Sequence, residues 1–217
     1  MFYSLQDSNG IPLDKKLNDI FNGKSNGFYI ELGANNGILQ SNTAFFEKTK
    51  NWKGILIEPS LKGYEACRIN RPNSICLNAA CVSDSYAENT IKGDFTSGHL
   101  MSSIYGKRLQ QETSLCEVKV DTLTNILNTY HDHSKIDLLS LDVEGYELNV
   151  LKGLDLNIYR PHYMLIEVYN IDFDEIVDFL KRHKYTLVCN FSNYSKVTNP
   201  RWDGTHNDYL FIDSSKK

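Results

Sequence analysis

Short apolar runs of strand type alternate with segments of helical periodicity along almost the whole chain. The runs are residues 28–32, 54–58, 74–82, 117–120, 136–141, 163–168, 187–191 and 209–212. Between most of them, apolar side chains recur every three or four residues, as they do on one face of a helix. Strands that alternate with helices form a mostly parallel sheet with helices on both faces, and short right-handed connections favour a doubly wound α/β sheet.

The length of 217 residues suits one sizeable hydrophobic core, and we expect a single domain over residues 1–217. Residues 1–27 are expected to form an N-terminal helical segment, with the helix itself over residues 12–21. Residues 83–115 have weak periodicity and are rich in Ser, Thr, Gly and His, which predicts a long irregular insert. An irregular segment of this length in a compact domain usually serves a function.

Charge, hydropathy and cysteine spacing narrow the class of protein. The net charge of −4 argues against a broad nucleic-acid-binding face, because phosphate contacts require a basic excess. No apolar stretch is long enough to span a membrane, and residues 1–10 lack the cationic start and apolar core of a secretory signal. The five cysteines form no CxxC pair, so we expect reduced, mostly packed thiols in a cytoplasmic protein.

The first of these strands ends in a glycine-bearing turn from Gly33 to Gly37. Ligands of doubly wound sheets bind beyond the carboxyl ends of the strands, where glycine lets the backbone approach them closely. The G-x-x-x-G spacing differs from the G-x-G-x-x-G of dinucleotide binders. Glu31 suits a cationic ligand with an amino group better than a pyrophosphate. A tight turn with a packing acid is the structural alternative.

The next two strands end in residues that suit a nucleoside. Glu58 follows Gly33 by 25 residues and can accept hydrogen bonds from both hydroxyls of a ribose. Small side chains in the segment that includes Ala80 leave room for an adenine ring, and Asp84 is a weaker candidate for its amino group. A solvated Glu58 and a packed strand end at Ala80 are the alternatives.

The strand over residues 136–141 leads into three carboxylates within six residues, at Asp142, Glu144 and Glu147. Clustered acids repel and shift one another's pKa values, and such shifts concentrate at functional sites. Glu147 also begins the next predicted helix, where an acid interacts favourably with the helix dipole. Asp142 and Glu144 are therefore the stronger catalytic candidates.

Together these motifs resemble the FkbM-type methyltransferases. The blocks that carry the resemblance are residues 28–37, 41–43, 52–59, 78–80, 141–147, 151–153 and 206–211. The resemblance spans roughly residues 28–212 and implies a class I, Rossmann-like methyltransferase fold whose last strand is antiparallel. It also implies S-adenosylmethionine as the methyl donor. Many members carry Asp where this chain has Glu31, a change that keeps the charge.

The resemblance assigns the strand-end residues to the donor. The expected donor-binding residues are Glu31, Gly33, Asn35, Asn36, Gly37, Ser41, Asn42, Glu58, Pro59 and Ala80. Glu31 is expected to face the ammonium group, and Glu58 to hold the ribose. Helix capping is the alternative role for Ser41 and Asn42.

Members that resemble this chain methylate hydroxyls of sugars, glycolipids or polyketides. We therefore expect O-methylation of a sugar or glycan, such as a glycolipid, capsule or surface polysaccharide, with residues 83–115 facing the acceptor. A polyketide or other small-molecule hydroxyl is the alternative, and a nucleic acid is less favoured. The aromatic candidates for stacking on a sugar ring are Tyr105, Tyr146, Tyr169 and Trp202.

Methyl transfer to an alcohol depends on in-line positioning and on a base near the hydroxyl. Asp142 is the first candidate for this base and Glu144 the second, with Glu167 and His206 as outside candidates. A divalent cation is the alternative route to an acidified hydroxyl. Mg²⁺ or Mn²⁺ suits oxygen ligands, and the residues available are Asp142, Glu167 and Asn170.

Three other classes of protein fit less well. A base N-methyltransferase usually carries an Asn/Asp-Pro-Pro-Tyr run where this chain has residues 142–145. A dinucleotide dehydrogenase would need a third glycine in the first turn. A non-catalytic donor-binding protein would have no use for the acids at residues 142–147.

Overall fold

The computed structural model describes residues 1–95 and 115–215 of the chain. The helices in these ranges are α1 (Leu13–Ile20), α2 (Ala44–Lys50), α3 (Leu61–Asn70), α4 (Leu123–Tyr130), α5 (Glu147–Lys152) and α6 (Phe173–Arg182). The strands are β1 (Phe28–Leu32), β2 (Lys53–Ile57), β3 (Ile75–Leu77), β4 (Ala80–Cys81), β5 (Thr90–Gly93), β6 (Cys116–Asp121), β7 (Leu138–Leu141), β8 (Tyr163–Tyr169), β9 (Tyr185–Asn190) and β10 (His206–Asp213).

Seven strands form the central sheet, in the order β3-β2-β1-β7-β8-β10-β9. The pairs from β3 to β8 are parallel, whereas β10 runs antiparallel to both β8 and β9. The doubly wound α/β fold predicted from the alternating pattern is therefore confirmed. The antiparallel last strand implied by the family resemblance is confirmed as well.

The middle strands of the central sheet, β1, β2, β7 and β8, are mostly apolar because both faces of the sheet are covered there. In β1, Tyr29 packs on one face in a cluster that includes Phe46 and Trp52. Its neighbour Ile30 points to the other face and packs in a cluster that includes Leu139. β1 thus contributes alternate side chains to two cores, and its carboxyl end is left for ligand chemistry.

A second sheet of three strands, in the order β4-β6-β5, corrects the expected layout of residues 74–82. One strand was expected there, but β3 belongs to the central sheet and β4 pairs with β6. The break occurs at Asn78, whose side-chain nitrogen Nδ2 donates to the carbonyls of Glu58 and Pro59, at 2.9 Å each. Those bonds hold residue 78 beside β2 while the chain turns away.

The expected irregular insert over residues 83–115 is partly regular. Its residues Thr90–Gly93 form β5, which pairs antiparallel with β6. The stretch 96–114, which contains the aromatic candidate Tyr105, lies outside the described residues.

The N-terminal helix expected over residues 12–21 is confirmed as α1. Its apolar face carries Leu13 and Leu17, which lie in the core. The buried carboxylate of Asp14 accepts hydrogen bonds from the amide of Tyr3 (2.7 Å) and the hydroxyl of Ser4 (2.9 Å). None of the helices in the described parts of the chain combines the length and the apolar character needed to cross a membrane.

The switch point of the central sheet lies between β1 and β7. The chain builds outward from β1 to β3 and then returns to place β7 on the other side of β1. A crevice opens at such a point, beyond the carboxyl ends of the strands. Gly33 adjoins this crevice with φ +76°, and a Cβ there would lie 1.8 Å from the carbonyl oxygen of Asp142. The turn after β1 and the loop after β7 therefore touch through a position that admits no side chain.

Candidate functional site

A cavity of about 510 Å³ opens at this crevice, a size suited to a cofactor or small molecule. The sequence-predicted site residues that line it are Glu31, Gly33, Asn35, Ser41, Asn42, Glu58, Pro59, Ala80, Asp142, Glu144 and Glu167. His206, Tyr146 and Trp202 line it too. Asn36, Gly37, Asp84 and Asn170 are not among its lining residues.

The turn after β1 is fixed by its own side chains. Asn35, with φ +45°, accepts a hydrogen bond on its side-chain oxygen from the amide of Asn36 (2.6 Å). The side-chain oxygen of Asn36 accepts from the amides of Ile38 (2.9 Å) and Leu39 (2.8 Å). Asn36 therefore closes the turn and does not line the cavity, whereas Asn35 does.

Glu58 is held at the end of β2 by backbone amides. One carboxylate oxygen accepts from the amide of Asn35 (2.7 Å) and the other from that of Ser60 (2.8 Å). Burial raises the pKa of Glu58 to about 7, and the two amides act against this shift. Each oxygen keeps a second lone pair that can accept from a ligand hydroxyl.

Glu31 is 4% exposed and is anchored within the protein. Its carboxylate accepts from the hydroxyls of Ser41 (3.0 Å) and Thr43 (2.6 Å) and from the amide of Asn42 (3.0 Å). The Ser41 hydroxyl in turn accepts from the amides of Thr43 and Ala44 at the start of α2. Ser41 thus supports the start of α2, the alternative role considered from the sequence, and it also lines the cavity.

Arg71, which the sequence did not single out, lies fully buried behind the same turn. It donates to the carboxylate of Glu47 (2.8 Å), the hydroxyl of Tyr29 (2.6 Å) and the carbonyl of Gly37 (2.9 Å). The nitrogen that donates to Gly37 also lies 3.4 Å from a carboxylate oxygen of Glu31. One guanidinium group therefore ties the turn to β1 and α2. An arginine at a helix end usually faces solvent, so no local sequence signal marked it.

A cluster of three acids also lines the cavity. Asp142, Glu144 and Glu167 each offer one oxygen, and these oxygens lie within 4.8 Å of one another. Among the described residues, Asp142 Oδ1 and the second oxygen of Glu167 have no hydrogen-bond partner. Glu144 differs, since it accepts from the hydroxyl of Tyr169 at 2.8 Å. Asp142 and Glu167 are therefore the members with unused acceptor atoms.

The electrostatics of the cluster favour proton uptake. Burial, and then the charge of Glu144, raises the pKa of Asp142 well above its usual value. Burial, and then the charge of Asp142, does the same for Glu167, which is 8% exposed. Two neighbouring carboxyl groups cannot both ionise at little cost, so each raises the pKa of the other.

Glu147, the third acid of the sequence motif, has a structural role. Its carboxylate accepts from the amides of Val143 (2.9 Å) and Gly145 (3.1 Å) and so closes the loop after β7. Burial raises the pKa of Glu147 to about 7. Its position at the start of α5 supports the structural alternative considered from the sequence.

Strand β10 brings two further titratable groups to the acids. Asp208 is paired in register with Glu167, and burial raises the pKa of Asp208. Nε2 of His206 lies 3.3 Å from a carboxylate oxygen of Glu167. Asp208 was not expected from the sequence, because only the sheet order shows that the antiparallel β10 lies beside β8.

The segment 198–203 also lines the cavity. Its Trp202 donates from the indole nitrogen to the carbonyl of His206 (2.8 Å), which fixes the ring at the cavity wall. Asn170, a suggested metal ligand, is exposed and donates instead to the carbonyl of Gly204 (3.1 Å). Glu144 takes its place in the oxygen cluster.

Comparison with known proteins gives one family. The sequence profile described as the methyltransferase FkbM domain matches residues 31–187 of this chain. These residues contain the turn after β1, Glu58 and the acid cluster. No protein with a curated description matches the chain.

Solved structures with the same fold are methyltransferases of low sequence identity. Fibrillarin from Aeropyrum pernix, solved with natively bound S-adenosyl-L-methionine, has a TM-score of 0.52 at 11% identity, covering 91% of this chain and 74% of its own. The methyltransferase domain of METTL16 has a TM-score of 0.52 at 10% identity, covering 94% of this chain and 67% of its own. At this identity the likeness establishes the fold.

Proposed function

The chain belongs to the FkbM methyltransferase family, and we propose that it transfers the methyl group of S-adenosylmethionine to a hydroxyl of a sugar or glycan. One observation carries the proposal. One cavity is lined both by Glu58 with the turn after β1 and by the carboxyl pair Asp142 and Glu167. Donor-binding groups and a base are thus available to one pair of reactants.

The donor part of the proposal rests on the strand ends. The free lone pairs of Glu58 suit the two ribose hydroxyls. Asn35, in the turn after β1, lines the cavity where the methionine part of the donor would lie. Pro59 and Ala80 form an apolar wall against which the adenine ring fits. Glu31 and its anchored network supply negative charge for the ammonium and sulfonium groups of the donor.

The chemical step requires a proton acceptor and in-line geometry. The acceptor hydroxyl oxygen attacks the sulfonium methyl carbon, and the carbon–sulfur bond breaks with its electron pair left on sulfur. The hydroxyl proton passes to Asp142. Asp142 suits this role because it lines the cavity, its Oδ1 has no hydrogen-bond partner among the described residues, and a raised pKa makes its carboxylate a stronger base.

A divalent cation is the second mechanism that the acid cluster supports. The oxygens of Asp142, Glu144 and Glu167 lie close enough together to surround one Mg²⁺ or Mn²⁺, and the second oxygen of Glu167 is buried and unpartnered among the described residues. A cation held there would acidify the acceptor hydroxyl directly. Stripping with EDTA separates the two mechanisms: turnover is kept if Asp142 is the base, and is lost and restored by Mg²⁺ or Mn²⁺ if a cation is used.

The sugar part of the proposal rests on aromatic residues in the cavity lining. The indole of Trp202 is fixed beside the acids, and Tyr146 lines the same cavity. Aromatic faces bind the C–H faces of sugar rings, while carboxylates bind their hydroxyls. A polyketide or another small-molecule hydroxyl would use the same base and is the alternative acceptor.

Donor consumption with a panel of acceptors tests the proposal. The panel contains nucleotide sugars, free glycosides, lipid-linked glycans, polyketide alcohols and RNA. We expect S-adenosylhomocysteine to accumulate only with carbohydrate hydroxyls. Turnover with RNA alone, or with polyketide alcohols alone, would contradict the substrate class, and failure of S-adenosylhomocysteine to stabilise the protein thermally would contradict the donor.

A further inference from the structure

Two cysteine thiols touch directly behind the donor turn. Sγ of Cys67, in α3, lies 3.6 Å from Sγ of Cys76, in β3. Cys67 belongs to the core cluster under the turn, and Cys76 packs against that cluster while remaining partly exposed. A buried thiol and an accessible one are therefore in contact across the α3–β3 connection.

The same Cys67 sulfur supports the turn itself. A Cβ at Gly37 would lie 2.9 Å from Cys67 Sγ and 2.7 Å from the Cγ of Arg71. The glycine backbone thus rests against both side chains without room for another atom. Any movement of the Cys67 sulfur changes the surface on which the donor turn is packed.

The surroundings favour reaction at Cys76. The hydrogen bond between the two thiols lowers the pKa of Cys76, and the positive charges of Arg71 and Arg68 also lower it, against burial and the charge of Glu47. The thiolate is the reactive form of cysteine, and reactive cysteines occur in partly exposed, electropositive places. Cys81 is fully buried, and burial raises its pKa, so it lacks both properties.

We propose that Cys67 and Cys76 form a redox-sensitive pair whose oxidation to a disulfide weakens donor binding. The proposal rests on the donor site proposed above. A disulfide has an S–S distance of about 2.05 Å, so the sulfurs approach by roughly 1.5 Å through side-chain rotation. Such a movement displaces the Cys67 sulfur, against which Gly37 is packed.

The oxidant is a small disulfide such as oxidised glutathione. The Cys76 thiolate attacks one of its sulfurs, which forms a mixed disulfide and releases one glutathione thiolate. The Cys67 sulfur then attacks Sγ of Cys76 and displaces the second. Two protein thiols are oxidised, one glutathione disulfide is reduced to two thiols, and the two thiol protons pass to the released glutathiones.

The test uses the whole chain with Cys81, Cys116 and Cys189 replaced by serine, so that only the pair remains. The protein is equilibrated with oxidised or with reduced glutathione, and peptide mass spectrometry measures the bond between residues 67 and 76. Calorimetry then measures the Kd for S-adenosylhomocysteine. We expect the bond to form and the Kd to rise about fivefold or more on oxidation, within the usual range of coupling between two sites.

Linkage supplies a second readout. If oxidation weakens donor binding, saturating S-adenosylhomocysteine must disfavour the disulfide by the same factor at equilibrium. In the same background, a Cys76→Ser variant should bind S-adenosylhomocysteine with one Kd under both glutathione conditions.

Failure of the 67–76 bond to form would overturn the proposal, and so would a bond that leaves the Kd unchanged. Failure of the reduced protein to bind S-adenosylhomocysteine would instead refute the donor site, and with it the coupling. The disulfide measurement distinguishes that result from a failure of the thiol pair.

Discussion

At the scale of single residues, the carboxylates of the site differ in how many hydrogen-bond partners the protein gives them. Glu31 and Glu147 are satisfied by donors within the chain, while Asp142 and Glu167 keep acceptor atoms without partners among the described residues. The hydrogen bonds to Glu31 and Glu147 hold these side chains in place. The acceptor atoms without partners on Asp142 and Glu167 are available for a ligand or a proton. The two kinds could not be told apart from the sequence, where all four are acids near strand ends.

The unsatisfied pair gives the first prediction. Asp142→Asn keeps the shape of the side chain but removes the base, so we expect kcat to fall by about a hundred- to ten-thousand-fold. The Kd for S-adenosylhomocysteine should change little. Asp174→Asn, on α6 and outside the cavity lining, is the matched control and should leave both constants unchanged. Equal turnover in Asp142→Asn and the control would contradict the assignment.

Glu58 gives a prediction about pH. Its carboxylate accepts ribose hydroxyls best when ionised, and its pKa is raised to about 7. The affinity for S-adenosylhomocysteine should therefore increase as the pH rises through about 7 and then level off. Calorimetry across this range measures the effect. Glu58→Gln should bind more weakly and lose the pH dependence, whereas Glu65→Gln, on α3 and outside the cavity lining, should retain it. A Glu58→Gln profile with the same midpoint would assign the titration to another group.

At the scale of elements, the site depends on two loops that meet at the switch point. The turn after β1 and the loop after β7 approach through Gly33, whose missing side chain leaves room for the carbonyl of Asp142. The sequence predicted both loops and their place at one edge of the sheet. It could not predict the contact between them, because that depends on how β1 and β7 pair.

Gly33→Ala tests this contact. Gly33 has φ +76°, and a Cβ at this position would lie only 1.8 Å from a backbone oxygen, so the loops must separate to admit the methyl group. We expect loss of S-adenosylhomocysteine binding and a lower unfolding free energy by chemical denaturation. Gly10 has the same φ, but its nearest neighbour lies at 3.9 Å. Gly10→Ala should therefore show only the strain of the left-handed conformation, about 1–2 kcal/mol. Equal losses in the two variants would show that the contact is unimportant.

Some of these strands and contacts could be predicted from the sequence pattern, and others could not. The apolar runs of β1, β2, β7 and β8 were identified because strands covered on both faces are continuously apolar. The division between β3 and β4 was missed because it depends on hydrogen bonds from Asn78 to the backbone beyond β2. Arg71 and Asp208 were missed for a related reason, since their partners lie far away in the sequence.

At the scale of the whole molecule, the raised carboxyl pKa values oppose stability at high pH. Burial raises the pKa of Glu58 and Glu147 to about 7 and shifts Asp142 and Glu167 in the same direction. An unfolded chain ionises these groups at about pH 4. Between those values the folded state binds more protons than the unfolded state, so the unfolding free energy decreases as the pH rises.

The corresponding prediction compares how steeply Tm changes with pH in the wild type and in a double variant. Groups with lowered pKa values, such as Asp213, act in the opposite direction, so the difference between variants is the informative quantity. The Tm of the ligand-free protein should fall less steeply between about pH 5 and 8 in Asp142→Asn/Glu167→Gln than in the wild type. Calorimetric scans at constant ionic strength measure this. Parallel curves would show that the pair does not titrate in this range.

The position of β10 has a consequence for the order in which the protein is made. Of the strands described, β10 leaves the ribosome last, yet it is inserted between β8 and β9, which precede it. Until it emerges, β8 has no partner on that side, and the acids lack His206 and Asp208 beside them. A nascent chain therefore completes the surroundings of the acid cluster only after β10 has been made. A product that stops before residue 206 can contain every donor-binding residue and still lack the finished site.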